Sequence, residues 1–147
     1  MKKSQRIKTL VELKAMQEKS ALEALGVAQR KLSAAQTQVD GLREYRRSYQ
    51  EGFNQQGGAG IGVTRLLEFR SFMDKLDRAI AGQEQILDAC EAELINKRKA
   101  WEDLHHRTQS LQKVCDAALR EESRQESKRE QLEQDERASR LGNYGLI

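Results

Sequence analysis

Residues 52–64 read Gly52-Phe53-Asn54-Gln55-Gln56-Gly57-Gly58-Ala59-Gly60-Ile61-Gly62-Val63-Thr64, with five glycines in the eleven residues from Gly52 to Gly62. Glycine's backbone freedom ends helices and permits a chain reversal. The chain contains no proline, so nothing elsewhere imposes a break. The glycine run thus divides the 147 residues into two long potential helices and makes itself the tip between them. It lacks the lysine and hydroxyl that a phosphate-cradling loop needs. Thr64 is placed to cap the second helix through its hydroxyl, although Leu67 three positions on forms no capping box.

Outward from the tip, apolar residues recur by alternate fours and threes. The first series is Ile7, Val11, Lys14, Glu18, Ala21, Leu25, Ala28, Leu32, Ala35, Val39, Leu42, Arg46, Tyr49 and Phe53, apolar at eleven of fourteen positions. The second is Leu66, Phe69, Met73, Leu76, Ile80, Gln83, Leu87, Cys90, Leu94, Lys97, Trp101, Leu104, Thr108, Leu111, Cys115 and Ala118, apolar at thirteen of sixteen. A spacing averaging 3.5 residues keeps one narrow stripe against a partner helix, which is what a coiled coil requires. The central alanines predict close helix approach. Acid-to-base pairs four residues apart, including Asp74 with Arg78, Glu93 with Lys97 and Asp103 with Arg107, support the helix by about 0.3 kcal/mol each.

The fold class is therefore all-α: two long helices forming an antiparallel coiled-coil hairpin. As one domain over 1–147, it divides into a helix at about 5–52, a glycine-rich tip at 52–63, a helix at about 64–140 and a flexible tail at 141–147. Folding at the glycines sets Leu42 near Leu76, Val39 near Ile80, Leu32 near Leu87 and Leu25 near Leu94. Glu18 then falls near Lys97 and Trp101, either as a polar pair inside the seam or as a partly exposed residue. At 1.5 Å per residue the helices would measure roughly 70 Å and 110 Å, so the second must overhang. From Arg120 to Arg140 only Leu132 and Ala138 are apolar, while pairs such as Glu133 with Arg137 and Glu136 with Arg140 continue. A polar single helix of this kind needs a partner to persist.

Composition narrows the function classes. Charged residues make up 33% and aromatics 5%, too little bulky apolar material for a multilayer core. The 26 basic and 23 acidic residues are interleaved, as on a solvated helix surface, and the aromatics are not set among basic runs, so no nucleic-acid interface is expected. Lys2, Lys3, Arg6 and Lys8 precede any acid and suit either an acidic partner surface or a solubilising terminus. No apolar run approaches a membrane span and no signal peptide opens the chain, which predicts a cytoplasmic protein. Cys90 and Cys115 lie 25 residues apart on one helix, too far to pair within it, and read as small apolar packers. His105 and His106 point about 100° apart on a helix and accompany no cysteine pair, so no metal or other cofactor is expected. No nucleophile has a histidine and carboxylate system, and the chain reads as a non-enzyme.

The informative feature is a second apolar stripe beside the seam. Gln38, Leu42, Tyr45 and Tyr49 step by four, three and four, and so do Phe72, Leu76, Ala79 and Gln83. Two helices offer no third layer to cover this widening, so Tyr45 and Phe72 are expected to stay partly exposed as a binding surface or as the edge of a broad core stripe.

At these residues the chain resembles the FliJ family of the bacterial flagellar type III export apparatus. The resemblance covers nearly the whole chain and rests on Tyr45 to Tyr49 before a glycine-rich tip, on Phe72, Leu76, Ala79, Ile80 and Gln83, on Arg98 and Trp101, and on Glu130, Gln131, Asp135 and Glu136. Leu132 stands where family members often have lysine, and Gln83 where a histidine occurs. The resemblance implies a stalk like the central shaft of rotary ATPases, which promotes assembly of the FliI export ATPase ring, binds the FlhA export gate protein and associates with flagellar export chaperones. It would reach the inner membrane only through the gate. Carried across by position, the gate-contacting surface is Gln38, Leu42, Tyr45, Tyr49, Phe72, Leu76, Ala79 and Gln83, and the ATPase-contacting residues are Arg129, Glu130, Gln131, Asp135 and Glu136. The equivalent stalk of virulence type III secretion and a generic self-associating coiled coil are the alternatives.

Overall fold

The computed structural model describes residues 2–57, 60 and 62–145, and contains two helices, α1 (Lys3–Gln56) and α2 (Val63–Gly145). No strand occurs among the described residues. α1 continues past Gly52, where a stop was expected, because one glycine inside a helix costs only about 1 kcal/mol and Phe53 still has a partner to pack on. Within the expected tip, Gly58, Ala59 and Ile61 lie outside the described residues, and Gly60 adopts a left-handed backbone with φ 74°, which favours glycine.

Two expectations about the ends of α2 change. The helix starts at Val63, and the Gly62 carbonyl accepts the first backbone bond, from Leu66 N–H at 3.2 Å. Gly62 thus holds the capping position and Thr64 already lies inside the helix. At the far end, residues 141–145 are helical where a tail was expected, while Leu146 and Ile147 lie outside the described residues.

The chain divides into two compact units, each built from antiparallel stretches of α1 and α2. The unit Ser20–Trp101 holds most of the core. Ala28, Ala35 and Val39 of α1 are buried, as are Phe69, Met73, Leu76, Ile80 and Leu94 of α2. Every one belongs to the two heptad series, and Val39, at 0% exposure, is the most enclosed. The alanines sit where the backbones come closest, as their size allows. Glu93, expected to pair along its own helix with Lys97, instead meets Lys31 of α1 at 3.8 Å.

The other unit, Met1–Lys19 with Glu102–Ile147, buries Val11, Cys115 and Ser4. Glu18, at a seam position, meets His105 of α2, with Oε1 and Nδ1 2.6 Å apart. His105 lies one turn beyond Trp101 on α2 and reaches the seam from its edge. Both cysteines are free: Cys90 is partly buried, and the buried Cys115 directs its thiol at the Ser4 carbonyl, 3.9 Å away.

Candidate partner-binding surface

The last turns of α1 and the first turns of α2 carry all three phenylalanines and two of the three tyrosines, and these rings form a ladder within the Ser20–Trp101 unit. Phe53 stacks on Phe69 with centroids 3.7 Å apart, and Phe69 stacks on Tyr49 at 5.5 Å. Tyr49 meets Phe72 at 4.5 Å, and Phe72 meets Tyr45 edge-on at 6.2 Å with planes at 74°. Aromatic quadrupoles favour such offset and edge contacts by about 0.5–1.5 kcal/mol each beyond burial.

Exposure varies along the ladder, least at Phe69 and greatest at Tyr45. Phe69 joins Met73 and Leu76 in a buried cluster, with Phe53 and Phe72 packed against it. Tyr49 is only partly covered, and Tyr45 is 52% exposed. The expected surface residues therefore divide by depth. Tyr45, Tyr49, Gln38 and Ala79 are exposed, Leu42, Phe72 and Gln83 are partly buried, and Leu76, at 7%, lies beneath the patch and supports it from inside. Phe53 and Phe69 entered the sequence reading only as seam residues, yet they are what Tyr49 and Phe72 rest on. Beside them, Ser48, Tyr49, Gly52, Phe53 and Gln56 line a groove of about 210 Å³.

The opposite flank of the same helices is polar. Arg46 lies one residue, about 100°, round the helix from Tyr45 and donates to Asp77 of α2 at 2.6 Å. Arg43 likewise donates to Glu84 at 2.8 Å. The hydrogen bond from Arg46 to Asp77, with the attraction between their charges, raises the guanidinium above its ordinary range. These pairs are solvated and contribute little to stability. They do close one flank with charge and leave the other apolar.

Arg129, Glu130, Gln131, Asp135 and Glu136 occupy a separate part of the chain, in the unit that contains the terminus of α2. Residues 123–143 are exposed throughout. Helical spacing puts Arg129 and Glu136 on one face and Gln131 and Asp135 on another, so these five residues encircle the helix rather than forming one patch. Just before this stretch, Glu122 is partly buried, and its carboxylate accepts the Ser4 hydroxyl at 2.6 Å and the Ser4 N–H at 3.1 Å. Those two bonds and the nearby Lys2 ammonium hold its carboxyl below the usual range.

Among the described residues there is no group of side chains suited to hold a metal ion and no helix long and apolar enough to cross a membrane. The sequence matches the family of flagellar FliJ proteins over residues 2–144. It is 27% identical over 127 residues to the flagellar FliJ protein of Salmonella typhi, covering 84% of this chain and 86% of the relative. With the flagellar FliJ protein of Escherichia coli (strain K12) it shares 26% identity over 125 residues, covering 82% and 85%. No solved structure matches.

Proposed function

The chain belongs to the FliJ family of flagellar proteins, and from that premise we propose that it acts as a non-enzymatic stalk of flagellar type III export. In this reading it binds the FliI export ATPase ring, promotes ring assembly and couples the ring to the FlhA export gate, with export chaperones as further partners. The stalk is cytoplasmic and meets the inner membrane only through the gate.

The observation that carries the gate contact is the asymmetry between the two flanks. Ion pairs occupy one, while the other offers exposed Tyr45 and Tyr49 over Phe72, left uncovered among the described residues. Large aromatic anchors in a well-packed setting are the side chains that dominate protein interfaces. The exposed end of α2, with Arg129, Glu130, Gln131, Asp135 and Glu136, is assigned to the ATPase, since an uncovered polar helix gains from a partner that pairs its charges.

The test is separable. Replacing Tyr45 and Phe72 together by alanine and measuring binding to the purified FlhA cytoplasmic region, alongside FliI ATPase stimulation, should weaken the first and spare the second. Unchanged gate binding would remove the gate from this surface.

A further inference from the structure

Seam positions of α1 are apolar at nine of ten places from Ala21 to Phe53, but at only two of five from Ser4 to Glu18, where Ile7 and Val11 stand among Ser4, Lys14 and Glu18. Burial follows that difference. Among the described residues, the unit Ser20–Trp101 buries eight apolar side chains, and the unit Met1–Lys19 with Glu102–Ile147 buries Val11 and Cys115. Polar contacts cross between the helices at both ends of the apolar-poor stretch instead. At one end Ser4 bonds Glu122 at 2.6 and 3.1 Å, and at the other Glu18 meets His105 at 2.6 Å. The two ends lie fourteen residues apart on α1, about 21 Å at 1.5 Å per residue. Between them Lys14 donates to Gln17 at 3.3 Å and Thr108 to the Leu104 carbonyl at 2.8 Å, each within its own helix, so neither bond ties the helices together.

We infer that residues 3–19 form a strap, which parts from α2 as one cooperative piece while the unit Ser20–Trp101 stays folded, and that the contacts at Ser4 and Glu18 set how often it opens. A hydrogen bond across the seam is exchanged for bonds to water when the strap opens, so its net contribution is small, whereas lost burial of apolar surface is not replaced. A stretch with little burial and contacts that water can replace belongs to the low-stability end of a protein and opens without global unfolding. The closed form predominates, because Val11 and the contacts of Ser4 and Glu18 are satisfied together only there. Anchors at both ends make the opening concerted. The Glu122 bonds pin the first turn against fraying, and once they break, Ile7 and Val11 are the only apolar seam residues left before Glu18. Opening bares Leu104, Leu111, Cys115 and Ala118 of α2, so the strap is an internal cover over part of that helix's own seam.

Hydrogen exchange on the free full-length chain, read by mass spectrometry, tests this. Amides 8–19 should exchange together and at least about a hundredfold faster than amides 28–39. Glu122→Gln acts at one end of the strap and His105→Ala at the other. Each should speed exchange across the whole of 8–19 by at least about threefold and leave 28–39 and 73–80 unchanged. Lys14→Leu combined with Glu18→Leu completes the apolar series and should slow the same amides by at least about tenfold. Acceleration confined to the turns beside each substitution, or rates graded from Lys8 to Lys19, means simple fraying and overturns the strap. Exchange of 8–19 as slow as that of 28–39 in the wild type overturns it as well, and so does a double leucine variant that exchanges no more slowly than wild type.

Discussion

The Glu122 carboxylate of α2 caps the start of α1 across the chain, accepting both the backbone N–H and the hydroxyl of Ser4. The first N–H groups of a helix have no partner within it, and a carboxylate there also meets the positive end of the helix dipole. Its carboxyl is held below the usual range by the Ser4 hydroxyl first, then the Ser4 N–H, with Lys2 adding to them. A depressed pKa gives stability that is fully present above the unfolded carboxylate value of about 4.3 and is lost as pH falls through the lower folded value. Glu122→Gln should therefore melt below wild type at pH 7, and the gap should close on acidification from about pH 4.5 downward. A gap independent of pH would show that the charge plays no part.

Two glycines inside the helices weaken them without a visible return inside the chain. A Cβ at Gly41 or Gly82 would meet nothing within 4 Å. Gly41→Ala and Gly82→Ala should each raise the stability of the free protein by about 0.5–1 kcal/mol, read from the denaturant midpoint.

Core and surface are neighbours in sequence at Leu94 and Ile95, one buried and the other exposed. Leu94→Ala should cost about 2–4 kcal/mol through the cavity it leaves, and Ile95→Ala less than about 0.5 kcal/mol. Leu32, a seam residue of α1, is only partly buried and should lie between them.

Tyr45 and Phe72 should also separate on single substitution. Tyr45→Ala should shift stability by less than about 0.5 kcal/mol. Phe72 rests on the buried Phe69, Met73 and Leu76 cluster, so Phe72→Ala should cost about 1–2 kcal/mol while leaving the protein folded. Together they should reduce binding to the FlhA region by about thirtyfold, as expected for interface anchors of 2 kcal/mol or more.

Removing everything after Gln125 keeps Glu122, and residues 126–143, which it deletes, are all exposed. The melting temperature should hardly move, and stimulation of the FliI ATPase should fall sharply. Full stimulation by the truncated chain would show that the ATPase contact lies elsewhere.

The seam was legible in the sequence because burial follows a fixed helical period. Val11, Ala28, Ala35, Val39, Phe69, Met73, Leu76, Ile80, Leu94 and Cys115 all fall on the two series read from spacing. The hydrogen bond between Glu18 and His105 was not legible, since His105 stands outside the two apolar series and periodicity places the seam positions alone, not the side chains that reach them from the edge. The cap had a signal that went unread: Ser4 lies three residues before Ile7 and Glu122 four after Ala118, so both continue the seam series as polar residues. The aromatic surface was anticipated from stripe width, while its depth order, with Leu76 underneath, depended on how the rings stack.

Each unit carries one free cysteine, Cys115 buried against Ser4 and Cys90 partly buried in the unit with the glycine tip. Wild-type protein is thus already labelled for its own opening reactions. Maleimide can reach Cys115 only when the helices part around it, so its modification rate clocks separation near the cap, while the partly exposed Cys90 reacts without opening and reports how far its own surface is covered. Partner binding to one unit or the other would slow one thiol and leave the second running, which turns two unremarkable core residues into independent timers of where a partner holds the chain.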